Sequence, residues 1–293
     1  MTAAPRRRAE TGENGGRRDL SRPPAPEPLP HPVTDNHCHL DIGDGDDDFT
    51  LADALAAAGE VNVHRIVQVG CDLRGARWAV ETAEQHPQLV AAVALHPNEA
   101  PVLAERGELE AALAEIEQLA ARDVVRAVGE TGLDHFRTGP EGRGVQEESF
   151  RQHIRIAKRL GKALTIHDRD AHEDVLRVVL DEGPPDHWVM HCFSGDVDFG
   201  RRCVEAGAHL SFAGTVTFKN AGPLRDALRA TPVDRILVET DAPFLTPHPY
   251  RGRPNASYLV PQTMRLMSEV TGVELGELCA AVEANTTRVY GDW

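Results

Sequence analysis

The chain has 293 residues and a formal net charge of −15 at pH 7, and these two quantities narrow its class. A chain of this length can bury one large core of the (β/α)8 type or two smaller ones. The negative charge argues against a protein that wraps duplex DNA, because such proteins usually carry a broad basic surface. Any contact with nucleic acid is therefore expected in a local pocket.

The apolar and cysteine patterns exclude further classes. No stretch of about 18 apolar residues occurs, so no membrane span is predicted. The arginines near the N-terminus are not followed by the apolar core of a secretory signal. The five cysteines are scattered and form no Cys-x-x-Cys pair, which favours reduced thiols. We expect a soluble cytoplasmic protein without an obligate protein partner, and a monomer because few apolar runs look exposed.

Residues 1–32 are rich in arginine and proline and show no apolar periodicity. Such a segment buries too little apolar surface to offset the entropy of ordering it, so a disordered tail is predicted. An electrostatic arm for nucleic acid is the functional alternative. The remaining residues, 33–293, are predicted to form a single domain.

From residue 33 onward, short apolar runs alternate with longer segments of helical periodicity. The apolar runs predict strands at 33–36, 64–69, 89–95, 124–129, 163–167, 188–191, 209–212 and 235–239. The helical spacing predicts helices at 51–58, 76–85, 109–121, 147–160, 172–180, 198–206 and 224–229, with two more at 257–270 and 274–283. Strands separated by helices in this number predict a parallel sheet closed into a (β/α)8 TIM barrel.

The first predicted strand ends in a pair of histidines, in the stretch Asp35-Asn36-His37-Cys38-His39-Leu40. Side chains alternate along a strand, so His37 and His39 point the same way and can hold one metal ion. An isolated His-x-His is as often two ordinary surface or core histidines as it is a metal site. Here further residues of ligand type stand at the ends of later strands, namely Glu130, His167, His191 and Asp241. Because C-terminal strand ends share one rim of a barrel, together they predict a metal centre.

These strand-end motifs resemble those of the TatD family of metal-dependent hydrolases, within the amidohydrolase-like barrels. The resemblance covers about residue 33 to the C-terminus and rests on Asp35 to Asp41, Leu95-His96-Pro97, Gly129 to Asp134, Thr165-Ile166-His167, His191 to Gly195, Ser211 to Asn220, Val238 to Pro243 and Arg251 to Asn255. The chain departs from the family pattern at His135 and Phe136, which leave no tyrosine there, and in its arginine-rich tail.

The resemblance implies a divalent-metal-dependent hydrolase, typically a deoxyribonuclease that trims single-stranded DNA from its 3′ end. It implies two ions, the first held by His37, His39, Glu130 and Asp241 and the second by Glu130, His167 and His191. Glu130 and Asp241 are the expected catalytic residues: Glu130 would bridge the ions, and Asp241 would take a proton from water as general base. The mixed donor set leaves magnesium, manganese and zinc open.

Single-stranded DNA or DNA ends are the expected substrate, so cations near the metals are candidates for holding the scissile phosphate. These candidates are Arg137, Lys219, Arg251 and Arg253, although each could instead be a solvated surface charge. His96 is a further candidate for substrate contact or, equally, a histidine packed under a loop. Asp134 is expected to fix the loop that carries Glu130 by hydrogen bonds.

Two other functions stay open on the sequence alone. The same metal pair would support an amidohydrolase or esterase that acts on a small molecule, which the net negative charge favours slightly. A barrel that has lost catalysis and serves as a binding module is the non-enzyme alternative. The complete set of expected ligands argues against this last reading.

Overall fold

The computed structural model describes residues 6–12 and 15–293 and confirms the predicted (β/α)8 barrel. Within these residues, parallel strands follow one another around the sheet in chain order. They are β1 (Val33–Cys38), β2 (Val63–Gly70), β3 (Leu89–Val93), β4 (Val125–Asp134), β5 (Ala163–Arg169), β6 (Trp188–Met190), β7 (His209–Phe212) and β8 (Ile236–Val238). A parallel bridge between Cys38 and Ala242 brings the two ends of the sheet together, so the barrel is nearly closed.

Helices cover the outside of this barrel. They are α1 (Leu51–Glu60), α2 (Leu73–Ala83), α3 (Glu99–Glu105), α4 (Leu109–Ala120), α5 (Pro140–Leu160), α6 (His172–Glu182), α7 (Val197–Glu205), α8 (Gly222–Ala230), α9 (Val260–Thr271) and α10 (Leu275–Tyr290). Strands β3 and β8 are buried along their whole length, as parallel strands with covered faces are. Among the described helices, none is both long and apolar enough to cross a bilayer.

The structure moves several predicted boundaries. Strand β4 continues to Asp134, so Glu130 lies inside the strand rather than after it. Helix α5 begins at Pro140 instead of residue 147, because proline fits the first turn of a helix, where no backbone donor is needed. The nearby glycines at 142 and 144 had weakened the helical pattern. Helix α3 was not predicted, and α10 runs to Tyr290 instead of 283.

The disordered tail expected for residues 1–32 stays a prediction, and its residues 1–5 and 13–14 fall outside the described residues. The N-terminal segment, residues 6–12 and 15–32, is described in contact with the barrel. Its first part, Arg6–Arg7, pairs in parallel with Ile42–Gly43 beside the pocket rim. Its last part runs along the barrel, where Leu29 is 2% exposed and Tyr258 donates a hydrogen bond to the Pro23 carbonyl at 2.6 Å. Local composition does not reveal these contacts, because they join the segment to residues distant in the sequence.

Candidate metal centre

The six predicted ligands come together at the C-terminal rim of the barrel. His37, Glu130 and His167 lie in β1, β4 and β5, while His39, His191 and Asp241 follow β1, β6 and β8 within a few residues. Strand β4 can approach β5 closely because Gly132, two residues after Glu130, has no side chain. A Cβ at Gly132 would come within 2.0 Å of the His167 carbonyl oxygen. The barrel geometry therefore brings together residues that are up to two hundred positions apart.

Glu130 is the centre of the cluster and divides it into two halves. Its Oε2 atom lies 3.4 Å from His37 Nε2 and 3.8 Å from His39 Nε2. Its Oε1 atom lies 2.6 Å from His167 Nδ1 and 3.4 Å from His191 Nε2. Because each oxygen faces a different set of imidazoles, this carboxylate has the geometry of a bridging ligand.

Asp241 closes the first half of the cluster. Its Oδ1 atom lies 3.2 Å from His39 Nε2 and 3.8 Å from His37 Nε2, and the two histidine Nε2 atoms are 3.3 Å apart. The Asp241 side chain is 15% exposed and the Glu130 side chain 6%. Asp241 is therefore the carboxylate of the pair that solvent reaches more easily.

His96 lies beside Glu130, within the cluster itself. Its Nε2 atom is 3.5 Å from Glu130 Oε1, a distance similar to that of His191. His96, Glu130 and His167 form one group with ligand atoms within 4.8 Å of one another, while His191 groups with His37 and Glu130. His96 is thus placed among the possible ligands of the second half.

Residues outside the predicted set orient the cluster. His39 Nδ1 lies 3.1 Å from the Val69 carbonyl, which can accept a hydrogen bond from it and so turn Nε2 toward the site. Glu239 Oε1 lies 2.8 Å from His191 Nδ1 and accepts a hydrogen bond from the Cys192 backbone N–H at 2.9 Å. The sequence did not single out Glu239, because the ligand predicted at this strand end is Asp241, two positions later.

Cys71 was also missed. Its thiol donates to Glu130 Oε2 at a distance of 3.4 Å, and burial together with the charge of Glu130 raises its pKa well above the usual value. The thiol therefore stays protonated in this setting. Cys71 directly follows β2, so the strand-end rule that found the histidines would also have found it.

Asp134 agrees with its expected supporting role. Its carboxylate accepts hydrogen bonds from the Arg137 backbone N–H at 2.8 Å and from Asn98 Nδ2 at 3.0 Å. Its own backbone N–H donates to Gln146 Oε1 at 3.1 Å. Although burial opposes it, the contact with His167 and these donors lower the pKa of Asp134. The loop after β4 is thereby tied to the Asp134 carboxylate by hydrogen bonds.

The carboxylates of the cluster favour protonation of two histidines beside them. Burial alone would lower the pKa of His39, but the hydrogen bond and charge of Asp241 raise it to about 9. Burial likewise opposes the contacts with Asp134 and Glu130 that raise the pKa of His167 to about 9. At His37 burial dominates, and together with the charge of His191 it lowers the pKa to about 3. The cluster thus attracts cations, and protons compete for the same donors.

The donor set fits divalent metal ions. Imidazole nitrogens and carboxylate oxygens are common ligands of zinc and of other divalent ions. His37, His39 and Asp241 form one group whose ligand atoms lie within 4.8 Å of one another, and His37, Glu130 and His191 form another. Several close nitrogen and oxygen donors aimed at one another are stabilised by a cation between them.

Arginines surround the mouth of a pocket of about 920 Å³ that leads to the cluster. Six of them line it, namely Arg6, Arg8, Arg18, Arg137, Arg169 and Arg251. Of the cations expected to bind substrate, Arg137 and Arg251 are therefore in place, and Arg251 packs over the Phe218 ring at 4.4 Å. Arg169 and the arginines of the N-terminal segment were not expected here.

Lys219 and Arg253 do not line this pocket. Lys219 is exposed at the end of the turn that follows β7. Arg253 Nε donates to the Ser21 carbonyl at 2.9 Å, and its Nη2 donates to the Arg22 carbonyl at 3.0 Å. The structure thus uses Arg253 to hold the N-terminal segment. The sequence showed that both residues follow strands but not which way their loops turn.

The barrel and this donor cluster define a metal-dependent hydrolase. A family model described as TatD related DNase matches residues 34–291. An uncharacterized metal-dependent hydrolase named TatD, from Mycobacterium tuberculosis, is 44% identical over 263 residues, which cover 88% of this chain and 98% of that relative. The chain belongs to the TatD family, which confirms the resemblance seen in its motifs.

Two further relatives agree with this assignment. The uncharacterized metal-dependent hydrolase YabD of Bacillus subtilis is 36% identical, with 87% of this chain and 98% of that relative covered. The crystal structure of YjjV, a TatD homolog from Escherichia coli K12, superposes with a TM-score of 0.80 at 25% identity and covers 89% of this chain and 98% of that one. The family match begins at residue 34, so the N-terminal segment lies outside it.

Proposed function

We propose that this chain is a deoxyribonuclease that shortens single-stranded DNA, or DNA ends, from the 3′ terminus. The observation that carries the proposal is the pocket: a cluster of metal-ligand type lies at its base and six arginines line it, in a chain of net charge −15. Gathering cations there against the overall charge suits a polyanionic substrate. The description of the matching family model, TatD related DNase, supports the reaction, and the 3′ polarity follows the family resemblance.

Two divalent ions, magnesium, manganese or zinc, fit the two halves of the cluster. His37, His39, Glu130 and Asp241 would hold one, and Glu130, His167 and His191 the other, with His96 within reach of the second half. When bound, such ions supply Lewis-acid charge to a phosphodiester and lower the pKa of water.

The side chains of the chain then divide the remaining work. Glu130 links the two halves of the cluster because each of its oxygens faces one half. Asp241 is the more exposed carboxylate, so it can accept the proton of an attacking water at its free oxygen. Arg137 and Arg251 line the pocket, where their guanidinium groups can bind phosphate oxygens and share the charge that develops during cleavage.

The test is degradation of an end-labelled single-stranded DNA in chelator, and again after magnesium, manganese or zinc is restored. Wild-type protein should shorten the strand from one end only when metal is present. Glu130→Ala should abolish the shortening, while Glu110→Ala, a change of an exposed glutamate on α4, should leave it intact. No shortening with any metal, by protein shown to contain metal, would overturn the nuclease.

The arginines separate this function from hydrolysis of a small neutral ester or amide. Arg137→Ala and Arg251→Ala should reduce kcat/KM for DNA by about tenfold or more, because each removes a charge-assisted hydrogen bond. Neither change should affect turnover of a neutral ester. Loss of esterase activity with DNA cleavage unchanged would favour the small-molecule hydrolase, and protein purified without metal would favour a binding module.

A further inference from the structure

The N-terminal segment builds part of the pocket wall. Arg6, Arg8, Gly12 and Arg18 of this segment line the same pocket as the metal cluster, yet the family match begins only at residue 34. This wall is therefore an addition to the family barrel, and its side chains are of the type that binds phosphate.

The alternation of the strand selects which arginines face the pocket. Arg6 and Arg8 line it and are partly buried, whereas Arg7 between them is exposed and donates to the Gly45 carbonyl at 2.5 Å. Successive side chains of an extended backbone point to opposite faces. The segment thus presents two arginines to the pocket and one away from it.

Arg8 contacts the loop that carries Asp241. Its Nη1 atom donates to the Pro243 carbonyl at 2.6 Å, two residues beyond Asp241. Its guanidinium lies 5.1 Å from the centre of the Phe244 ring, and Phe244 also lines the pocket. These contacts fix the cation at the wall of the pocket beside the cluster.

Arg8 is also less neutralised than its neighbours. Its carboxylate contact, Asp44 Oδ2 at 3.5 Å, is shared with Arg18, which binds Asp44 through two nitrogens at 3.0 and 2.5 Å. Burial and the charge of Arg18 lower the pKa of Arg8. Arg6, by contrast, binds both oxygens of Asp72. Of the three arginines that the segment contributes to the pocket, Arg8 is therefore the one whose charge is least neutralised by a carboxylate.

The segment is docked by its own set of contacts. The Arg18 side chain is 4% exposed and the Asp44 side chain 3%, so this ion pair is buried. The Arg22 guanidinium lies 3.8 Å from the centre of the Phe49 ring and pairs with Asp47 at 2.7 Å. The acidic loop at residues 44–48 therefore helps to hold the segment in place.

We propose that the N-terminal segment forms an anion subsite in which Arg8, flanked by Arg6, binds a phosphate group of the DNA strand next to the one that is cleaved. The proposal rests on the proposed function, because it names where the remainder of that polyanionic substrate binds. It assigns to residues outside the family barrel a direct part in substrate affinity.

The experiment is binding of a fluorescein-labelled, hydrolysis-resistant phosphorothioate hexanucleotide to the full chain with its metal, followed by anisotropy over a range of salt. Arg8→Ala should weaken binding about tenfold, since one charge-assisted contact is lost. The slope of log affinity against log salt should fall by about 0.7, the value for one phosphate contact on a single strand. Arg6→Ala should act in the same direction but less.

Arg7→Ala is the matched control, because it removes the same charge from the same strand on the opposite face. It should change neither affinity nor slope. Arg8→Lys keeps the charge and should retain the wild-type slope, which distinguishes a phosphate contact from a merely structural role. Equal affinity and slope for Arg8→Ala and Arg7→Ala would overturn the proposal. Tighter binding by Arg8→Ala would overturn it too, since the segment would then shield the pocket.

Cleavage of an unmodified strand by wild-type protein is scored separately. Binding that depends on Arg8 without any cleavage refutes the nuclease and leaves the anion subsite standing. Cleavage with binding that ignores Arg8 refutes the subsite and leaves the nuclease standing.

Discussion

The metal cluster and the N-terminal segment line the same pocket but are held in different ways. The cluster residues stand at strand ends of a hydrogen-bonded barrel whose strands are almost entirely buried. The segment lies on the surface and depends on arginine contacts such as Arg18 with Asp44. A site fixed by a barrel keeps its geometry when one surface contact is lost, whereas a segment docked by a few ion pairs does not.

The largest expected effect is in the cluster. Glu130→Gln keeps the size of the side chain but removes the charge shared by both halves, so hydrolysis should fall by about 10³-fold or more. Metal content should fall as well. Measuring both activity and bound metal checks this, with Glu110→Gln as control. A variant that retains full activity would show that Glu130 does not join the two halves.

The barrel beneath the cluster should lose stability in acid through His153. This buried histidine lies against the Ser149 carbonyl at 2.7 Å and accepts from the Leu95 backbone N–H at 3.1 Å, so it must be neutral. Burial lowers its pKa to about 4. The unfolded chain therefore binds this proton first, at about pH 6.5, and the folded state loses about 3 kcal/mol as the pH falls from 6.5 to 4.

Urea unfolding of metal-free protein between pH 7 and pH 4 measures this loss. His153→Gln carries no titratable group at this position and should flatten the pH dependence by that amount. Identical pH profiles for wild type and variant would mean that His153 tolerates its charge in the folded state.

A smaller effect, on metal affinity, is expected from Glu239, which contacts the cluster from outside. Glu239 lies 2.8 Å from His191 Nδ1, and removing such a partner usually costs 10- to 100-fold in metal affinity. Glu239→Gln should show a loss of about that size in equilibrium dialysis against a metal buffer. Exposed Glu277→Gln, on α10, should show none. Unchanged affinity in Glu239→Gln would mean that His191 needs no such support.

The smallest expected effect on the barrel comes from undocking the segment. Arg18→Ala leaves Asp44 buried without its main partner, so the segment should open and trypsin should cut within it about tenfold faster. Arg17→Ala alters the exposed neighbour and should not change the rate. The free energy of unfolding of the barrel should change little in either variant, because an open segment returns Asp44 to water instead of leaving its charge buried without a partner. Loss of barrel stability in Arg18→Ala would make the segment an integral part of the fold.

The two regions also differ in how far the sequence predicts them. The barrel and the positions of the six ligands followed from apolar periodicity and from the rule that strand ends share a rim. Residue-level support, such as Glu239 behind His191, did not follow, because periodicity places a residue on a rim without showing which neighbour it touches. Loop cations were only half predictable: Arg251 reaches the pocket and Arg253 does not.

The contacts of the N-terminal segment could not be predicted from the sequence for a related reason. Composition measures how much apolar surface a segment can bury by itself. The described contacts of this segment are instead with other parts of the chain, for example the hydrogen bond from Arg253 to the Ser21 carbonyl. Such long-range polar pairing leaves no periodic trace in the local sequence.

Under the proposed function, the route of the chain separates the residues of the metal cluster from those of the anion subsite. The N-terminal segment passes from the pocket mouth along the outside of the barrel, by way of Pro23 and Leu29, and joins β1 at Val33. Its sequence can therefore change without altering any residue of the metal cluster. An extension of this kind lets evolution exchange what an enzyme recognises while the inherited reaction is preserved, as rigid barrels with variable margins generally allow.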